Sequence, residues 1–149
     1  MKESLGIYIH IPFCASKCEY CDFYSLPNHE SLMGDYEKAL IAHLEEADVS
    51  MKMYEIDTVY FGGGTPTLLS PSCIRELFAA IREAFTILPD AEITVEGNPA
   101  AAGREAMSVW RDCGVNRLSL GSQSAQPDEL KALGRLHRWE DVAQTVNDA

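Results

Sequence analysis

The sequence predicts an α/β fold with a parallel sheet, and three observations carry that reading. Four short runs rich in Ile, Val, Phe, Tyr and Leu begin near Gly6, Ile56, Ala91 and Arg117, and each is followed by residues with apolar side chains at helical spacing. The gaps between runs are too long for hairpins, so consecutive strands are joined by crossovers and lie parallel. Each run after the first ends in a glycine-containing cluster, and the first ends in a cysteine loop. The carboxyl edge of a parallel sheet is where ligands bind.

Residues 6–12 alternate, with Ile7, Ile9 and Ile11 on one side and Tyr8 and His10 on the other, until Pro12 ends the strand. After a polar link through Pro27, Asn28 and His29, residues 32–50 read as an amphipathic helix with Tyr36, Leu40, His43, Leu44 and Ala47 on its inner side. Residues 56–61 form the second strand and run into Gly62-Gly63-Gly64-Thr65. Ser70-Pro71 opens a helix, proline being favoured at the first helical position, that runs to about Phe85 with Ile74, Leu77, Phe78 and Ile81 inward. Residues 91–96 make the third strand, ending in Gly97-Asn98-Pro99. Residues 103–113 are helical and stop at Gly114, where glycine commonly closes a helix. The fourth strand, Arg117–Leu120, leads into Gly121-Ser122-Gln123-Ser124, and helical segments follow at 128–133 and 140–147.

Strand phase assigns the two faces of the sheet. Side chains two residues apart point the same way, so Ile7, Ile9, Ile11, Ile93, Val95, Leu118 and Leu120 form an apolar face that takes the helices. Tyr8, His10, Thr94, Glu96, Ser119, Gly121 and Gln123 form a polar face that lines a ligand cavity.

Composition narrows the function. A length of 149 residues suits one domain with a buried core, and 46% hydrophobic with 23% charged residues is the make-up of a soluble globular protein. The formal net charge of -11 argues against sequence-independent binding to nucleic acid, which needs Lys and Arg to neutralise phosphates. There is no apolar run long enough for an integral membrane segment and no export signal in the polar residues 1–6, so the protein is expected in the cytoplasm with its five cysteines reduced.

Residues 13–24, FCASKCEYCDFY, put Cys14, Cys18 and Cys21 at spacing C-x3-C-x2-C. A [4Fe-4S] cluster normally takes four cysteine ligands. Three thiolates therefore leave one iron open to a small molecule carrying amine and carboxylate groups. A structural zinc site of Cys3His type, with His10 as the fourth ligand, is the competing reading. Gly62-Gly63-Gly64 lets backbone approach a ligand closely, but lacks the lysine of a phosphate-binding loop. Cys73 and Cys113 fall within helical stretches and read as small buried hydrophobes.

Residues 8–25, YIHIPFCASKCEYCDFYS, resemble the start of radical S-adenosylmethionine (SAM) proteins. Within that superfamily the stretch is similar to the oxygen-independent coproporphyrinogen dehydrogenases and the HemW-type heme chaperones, and the likeness runs from Gly6 to about Val146. It implies a partial (β/α)6 TIM-like barrel, of which this chain holds about the first four βα units. Residues 1–149 are then the N-terminal portion of a radical SAM core domain, with the rest of the barrel and a C-terminal domain absent. The resemblance makes Cys14, Cys18 and Cys21 the cluster ligands and sets Gly64 and Thr65 at the amino group of SAM. By the same likeness Glu96 and Gln123 contact SAM, Arg135 lies near its carboxylate, and Tyr8 touches the cofactor near the cluster. The chemistry implied is one-electron cleavage of a carbon-sulfur bond in SAM.

The coproporphyrinogen dehydrogenases carry a further cysteine two residues past the third, and this chain has Phe23 there, as in the heme-chaperone branch. The favoured reading is thus a heme chaperone that, at full length, binds heme and delivers it to an acceptor protein. The alternatives are an oxygen-independent coproporphyrinogen III dehydrogenase acting on a porphyrinogen, and an inactive truncated product.

Overall fold

Alternation in the first run is realised as β1 (Ser4–Ile11), with Ile9 and Ile11 buried and Tyr8 59% exposed on the opposite face. The structure is a computed structural model that describes residues 3–47, 51, 53–101 and 103–149. Three more strands extend the sheet: β4 (Glu55–Gly63), β5 (Thr86–Gly97) and β6 (Arg117–Leu120). All pairings are parallel and the order is β1-β4-β5-β6, as crossover connections require. Among the described residues β6 pairs only with β5, so its outer edge is open.

The helices α1 (Met33–Glu45), α2 (Pro71–Ala84) and α3 (Arg104–Asp112) bury the apolar face. Ile9, Ile11, Val59, Phe61, Ile93 and Val95 from the sheet share one core with Leu44, Ile74, Leu77, Phe78, Val109 and Trp110 from the helices. At its centre the Phe61 ring lies 5.2 Å from Phe78 and 5.1 Å from Trp110, the latter edge-on, an arrangement aromatic quadrupoles favour. Ser70 caps α2, its hydroxyl accepting from the Cys73 N–H at 3.2 Å, with Pro71 at the first helical position. Farther along, α4 (Pro127–Ala132) and α5 (Trp139–Asp148) follow β6, and Thr145 of α5 donates to the Pro99 carbonyl at 3.0 Å.

Several boundaries differ from the sequence expectation. β4 continues through Gly62 and Gly63, because those glycines pair with His10 and Ile11 of β1. β5 starts at Thr86 rather than near Ala91, although Pro89-Asp90 reads as a turn. Thr86 and Ile87 pair with Glu55 and Ile56, and pairing resumes at Thr58 with Glu92. The intervening residues form an irregularity that accommodates the proline without a ladder hydrogen bond. α1 ends at Glu45 with His43 exposed, not inward, and residues 48–50 of the expected helix lie outside the described residues.

One feature has no strong periodic signal. The two-residue strands β2 (Phe13–Cys14) and β3 (Leu26–Pro27) pair in parallel and close the base of the cysteine loop. Leu26 N–H donates to the Pro12 carbonyl at 2.7 Å and Asn28 N–H to that of Cys14 at 3.1 Å.

Phe61 is fully buried between two aromatic rings. Phe61→Ala is expected to cost about 3–5 kcal/mol of unfolding free energy, measured by denaturant titration with the slope unchanged.

Candidate functional site

The ends of all four main strands meet a cavity of about 370 Å3. Cys14, Cys18 and Cys21 line it from the loop after β1, and Gly64 and Thr65 from the turn after β4. Glu96 at the end of β5, Gln123 after β6 and Arg135 after α4 complete the predicted set. Tyr8 alone stands outside the wall: its ring stacks on Tyr60 at 6.0 Å, and its hydroxyl bonds His10 Nδ1 at 3.1 Å. Leu120 lines the cavity although its strand phase points toward the helices, because the cavity opens past the end of β6 where both faces of the chain are reachable.

The glycine turn and the cysteine loop touch. Gly64 N–H donates to the Ile11 carbonyl at 2.7 Å and Thr65 N–H to that of Phe13 at 2.8 Å. A Cβ on Gly64 would stand 2.5 Å from the Phe13 carbonyl oxygen and 2.9 Å from Cys14 Sγ, inside any real contact. Gly63 has φ +110°, a conformation only glycine adopts readily, and a Cβ there would meet the His10 ring at 2.7 Å. The N–H groups of Gly63, Gly64 and Thr65 are all spent inside the protein. This turn is therefore no anion cradle of backbone donors, which separates it from a phosphate-binding loop.

Glu96 and Arg135 are charged groups held in place by hydrogen bonds in the cavity wall. Glu96 accepts from Tyr60 Oη at 2.7 Å and from Gly63 N–H at 3.2 Å, which fixes its carboxylate. Arg135 donates from Nη2 to the Gly121 carbonyl at 2.6 Å, from Nη1 to Cys18 Sγ at 3.6 Å and from Nε to His137 Nδ1 at 3.3 Å. A guanidinium has five N–H donors; Tyr20 also hydrogen-bonds this one, which leaves a single donor over. A fixed carboxylate and a fixed guanidinium lining one cavity match the ammonium and carboxylate of an amino acid. Gln123 reaches the same wall with φ +56°, a left-handed backbone uncommon outside glycine.

The cysteine loop is braced by Lys17, whose ammonium donates to the Phe23 carbonyl at 2.9 Å and to Ser25 Oγ at 3.1 Å. Burial pushes the Cys14 thiol up from its ordinary value; a hydrogen bond from Thr65 works against this, while Cys21 and Cys18 add to it. Binding a metal there displaces a proton. Burial pushes Cys73 and Cys113 up as well, and both stay inert in the core.

His10 does not suit the zinc reading. Its Nε2 bonds the Tyr24 carbonyl at 2.9 Å and its Nδ1 the Tyr8 hydroxyl, so neither nitrogen is free for a metal. Among the described residues no three His, Cys, Asp or Glu side chains converge on a single ion. One zinc would draw its sulfurs to within about 4.6 Å of each other, twice the Zn–S bond. A cluster seats each thiolate on its own iron, so it does not need the three sulfurs to meet at one ion. Soft donors, a turn with no room for side chains and a cavity beside them fit an iron-sulfur cluster.

The model of the radical SAM superfamily matches residues 8–149. The chain belongs to the radical SAM superfamily. It is 39% identical to the heme chaperone HemW of Escherichia coli, over 95% of this chain and 38% of that protein. It is 36% identical to an oxygen-independent coproporphyrinogen III oxidase of Bradyrhizobium diazoefficiens, over 97% of this chain and 32% of that one. Among solved structures, coproporphyrinogen III oxidase (HemN) from Escherichia coli, a radical SAM enzyme, superposes with a TM-score of 0.91 at 28% identity, over 99% of this chain and 34% of the other. This radical SAM chain thus spans about a third of the length of the relatives it matches. Membership implies a [4Fe-4S] cluster and SAM.

Two residues that shape the site carry no role in the sequence reading. Tyr60 holds Glu96 and stacks on Tyr8, its register partner. The alternation that turns Tyr8 toward the polar face turns Tyr60 there too, which was the available signal. His137 is 2% exposed and bonds the Ser122 carbonyl through Nε2 at 3.0 Å. A carbonyl only accepts and Arg135 only donates, so the imidazole is neutral with its proton on Nε2. Only folding brings it to Ser122.

Gly64→Ala should leave secondary structure in place while the reconstituted iron content falls severalfold, because its Cβ collides with Phe13 and Cys14. Iron and sulfide assays on the purified variant check this. Burial lowers the His137 pKa below its ordinary value, with a second lowering influence from Arg135 outweighed in order by the Ser122 bond that raises it. As pH falls below about 6.5 the unfolded chain takes up this proton before the folded one does. The stabilising contribution, complete above that pH, is lost as pH falls through the folded pKa. His137→Gln should flatten that part of the stability–pH profile, measured by thermal unfolding between pH 7.5 and 5.

Proposed function

We propose that Cys14, Cys18 and Cys21 ligate a [4Fe-4S] cluster, and that Gly64, Thr65, Glu96, Gln123 and Arg135 bind SAM beside it. Support comes from one cavity lined by the three thiols, a fixed carboxylate and a fixed guanidinium. Glu96 and the glycine turn take the ammonium end of SAM, and Arg135 takes its carboxylate. Tyr8 acts at one remove, through its stack on Tyr60. When bound, the cluster and SAM supply one-electron cleavage of a carbon-sulfur bond; the protein supplies orientation and a site that excludes competing reactions.

In our reading residues 1–149 are the N-terminal portion of a radical SAM core domain in a cytoplasmic heme chaperone, which binds heme and passes it to an acceptor protein. No helix among the described residues is long and apolar enough to cross a membrane. Phe23 carries the choice of chaperone over dehydrogenase: it stands where the dehydrogenases have their further cysteine, lines the cavity and is 65% exposed. An apolar ring at the rim replaces a redox-active thiol and offers a surface for a flat macrocycle.

The full-length protein that contains this chain, with its cluster reconstituted, should bind heme stoichiometrically and release no carbon dioxide from coproporphyrinogen III with SAM. Absorption spectroscopy reads the first and product chromatography the second. Decarboxylated product would replace the chaperone with the dehydrogenase.

A further inference from the structure

Two of the three cluster sulfurs carry a side-chain donor. Thr65 Oγ1 donates to Cys14 Sγ and Arg135 Nη1 to Cys18 Sγ, each at 3.6 Å, within reach for a large sulfur acceptor. The arginine contact is held in place from behind. Its Nη2 is tied to the Gly121 carbonyl and its Nε to His137, whose own proton goes to Ser122. A relay thus runs from the turn after β6 through a buried imidazole to the cysteine loop, and Glu19 N–H fastens that loop to the Leu133 carbonyl at 3.2 Å.

A guanidinium keeps its charge at any working pH. A permanent positive donor on a ligand sulfur withdraws electron density from it, and hydrogen bonds to the sulfurs are among the determinants of cluster potential. The reduced cluster carries one more negative charge than the oxidised one, so the donor stabilises the reduced state and raises the potential. We propose that Arg135, positioned by His137, tunes the reduction potential of the cluster through Cys18 as well as holding the carboxylate of SAM. The inference rests on the reading that the three cysteines ligate the cluster. It assigns Arg135 a second task and gives His137 its role as a positioning residue.

The test is an EPR-monitored redox titration of the reconstituted protein without SAM, alongside iron content and SAM affinity. Arg135→Gln should move the midpoint to a more negative potential. Arg135→Lys should move it part of the way, since an ammonium cannot span Gly121 and Cys18 together. His137→Gln should shift it in the same direction by less. An unchanged midpoint in Arg135→Gln overturns the proposal; if that variant loads iron poorly, an unchanged midpoint in Arg135→Lys does so. Weaker SAM binding at an unaltered potential would leave the carboxylate contact standing and sink the tuning role. A wild-type protein that takes up no cluster would instead refute the ligand assignment beneath it.

Discussion

Backbone contact between the Gly62-Gly63-Gly64 turn and the residues around the first cysteine governs the rest of the molecule. Gly64 and Thr65 hydrogen-bond Ile11 and Phe13, and no side chain fits between them. Through this contact the end of β4 grips the end of β1, which lifts the cysteine loop over the carboxyl edge of the sheet. The small pairing of β2 with β3 then closes the loop at its base. Neither interaction is strong by itself, a backbone hydrogen bond being worth about 1 kcal/mol net. Together they convert a loop with three thiols into a wall of a cavity.

That cavity is lined by charges of both signs. Tyr60 and Gly63 hold the carboxylate of Glu96, and Gly121, His137 and Cys18 hold the guanidinium of Arg135. Preorganising both groups lowers the ordering that a zwitterionic ligand would otherwise impose on them. The formal net charge of -11 hides this, because Arg135 is brought to the cavity by folding rather than by composition. Tyr60 and His137 lie outside the cavity lining and orient Glu96 and Arg135 through hydrogen bonds.

Much of this was legible from residue order. Ile9 and Ile11 are buried and Tyr8 is turned away, as alternation requires, and Ser70-Pro71 starts α2 where capping chemistry puts it. The cysteine spacing and glycine run marked the two loops that do meet. What escaped detection is non-local. β5 extends back to Thr86 because β4 offers it partners, overriding the turn propensity of Pro89-Asp90. Tyr8 and Tyr60 stack because register sets those rings side by side, and His43 is exposed because α1 presents Leu44 to the core.

Order along the chain determined the parallel α/β class, the apolar face of the sheet, the family and the set of thiols, since each depends on period or spacing among near neighbours. Tertiary structure alone decided which carboxylate and which guanidinium share the cavity, which sulfur receives the arginine, and that both nitrogens of His10 are spent. Those are relations between residues as far apart as Cys18 and Arg135. A sequence states spacing along the chain, and only closure of the sheet edge converts it into distance in space.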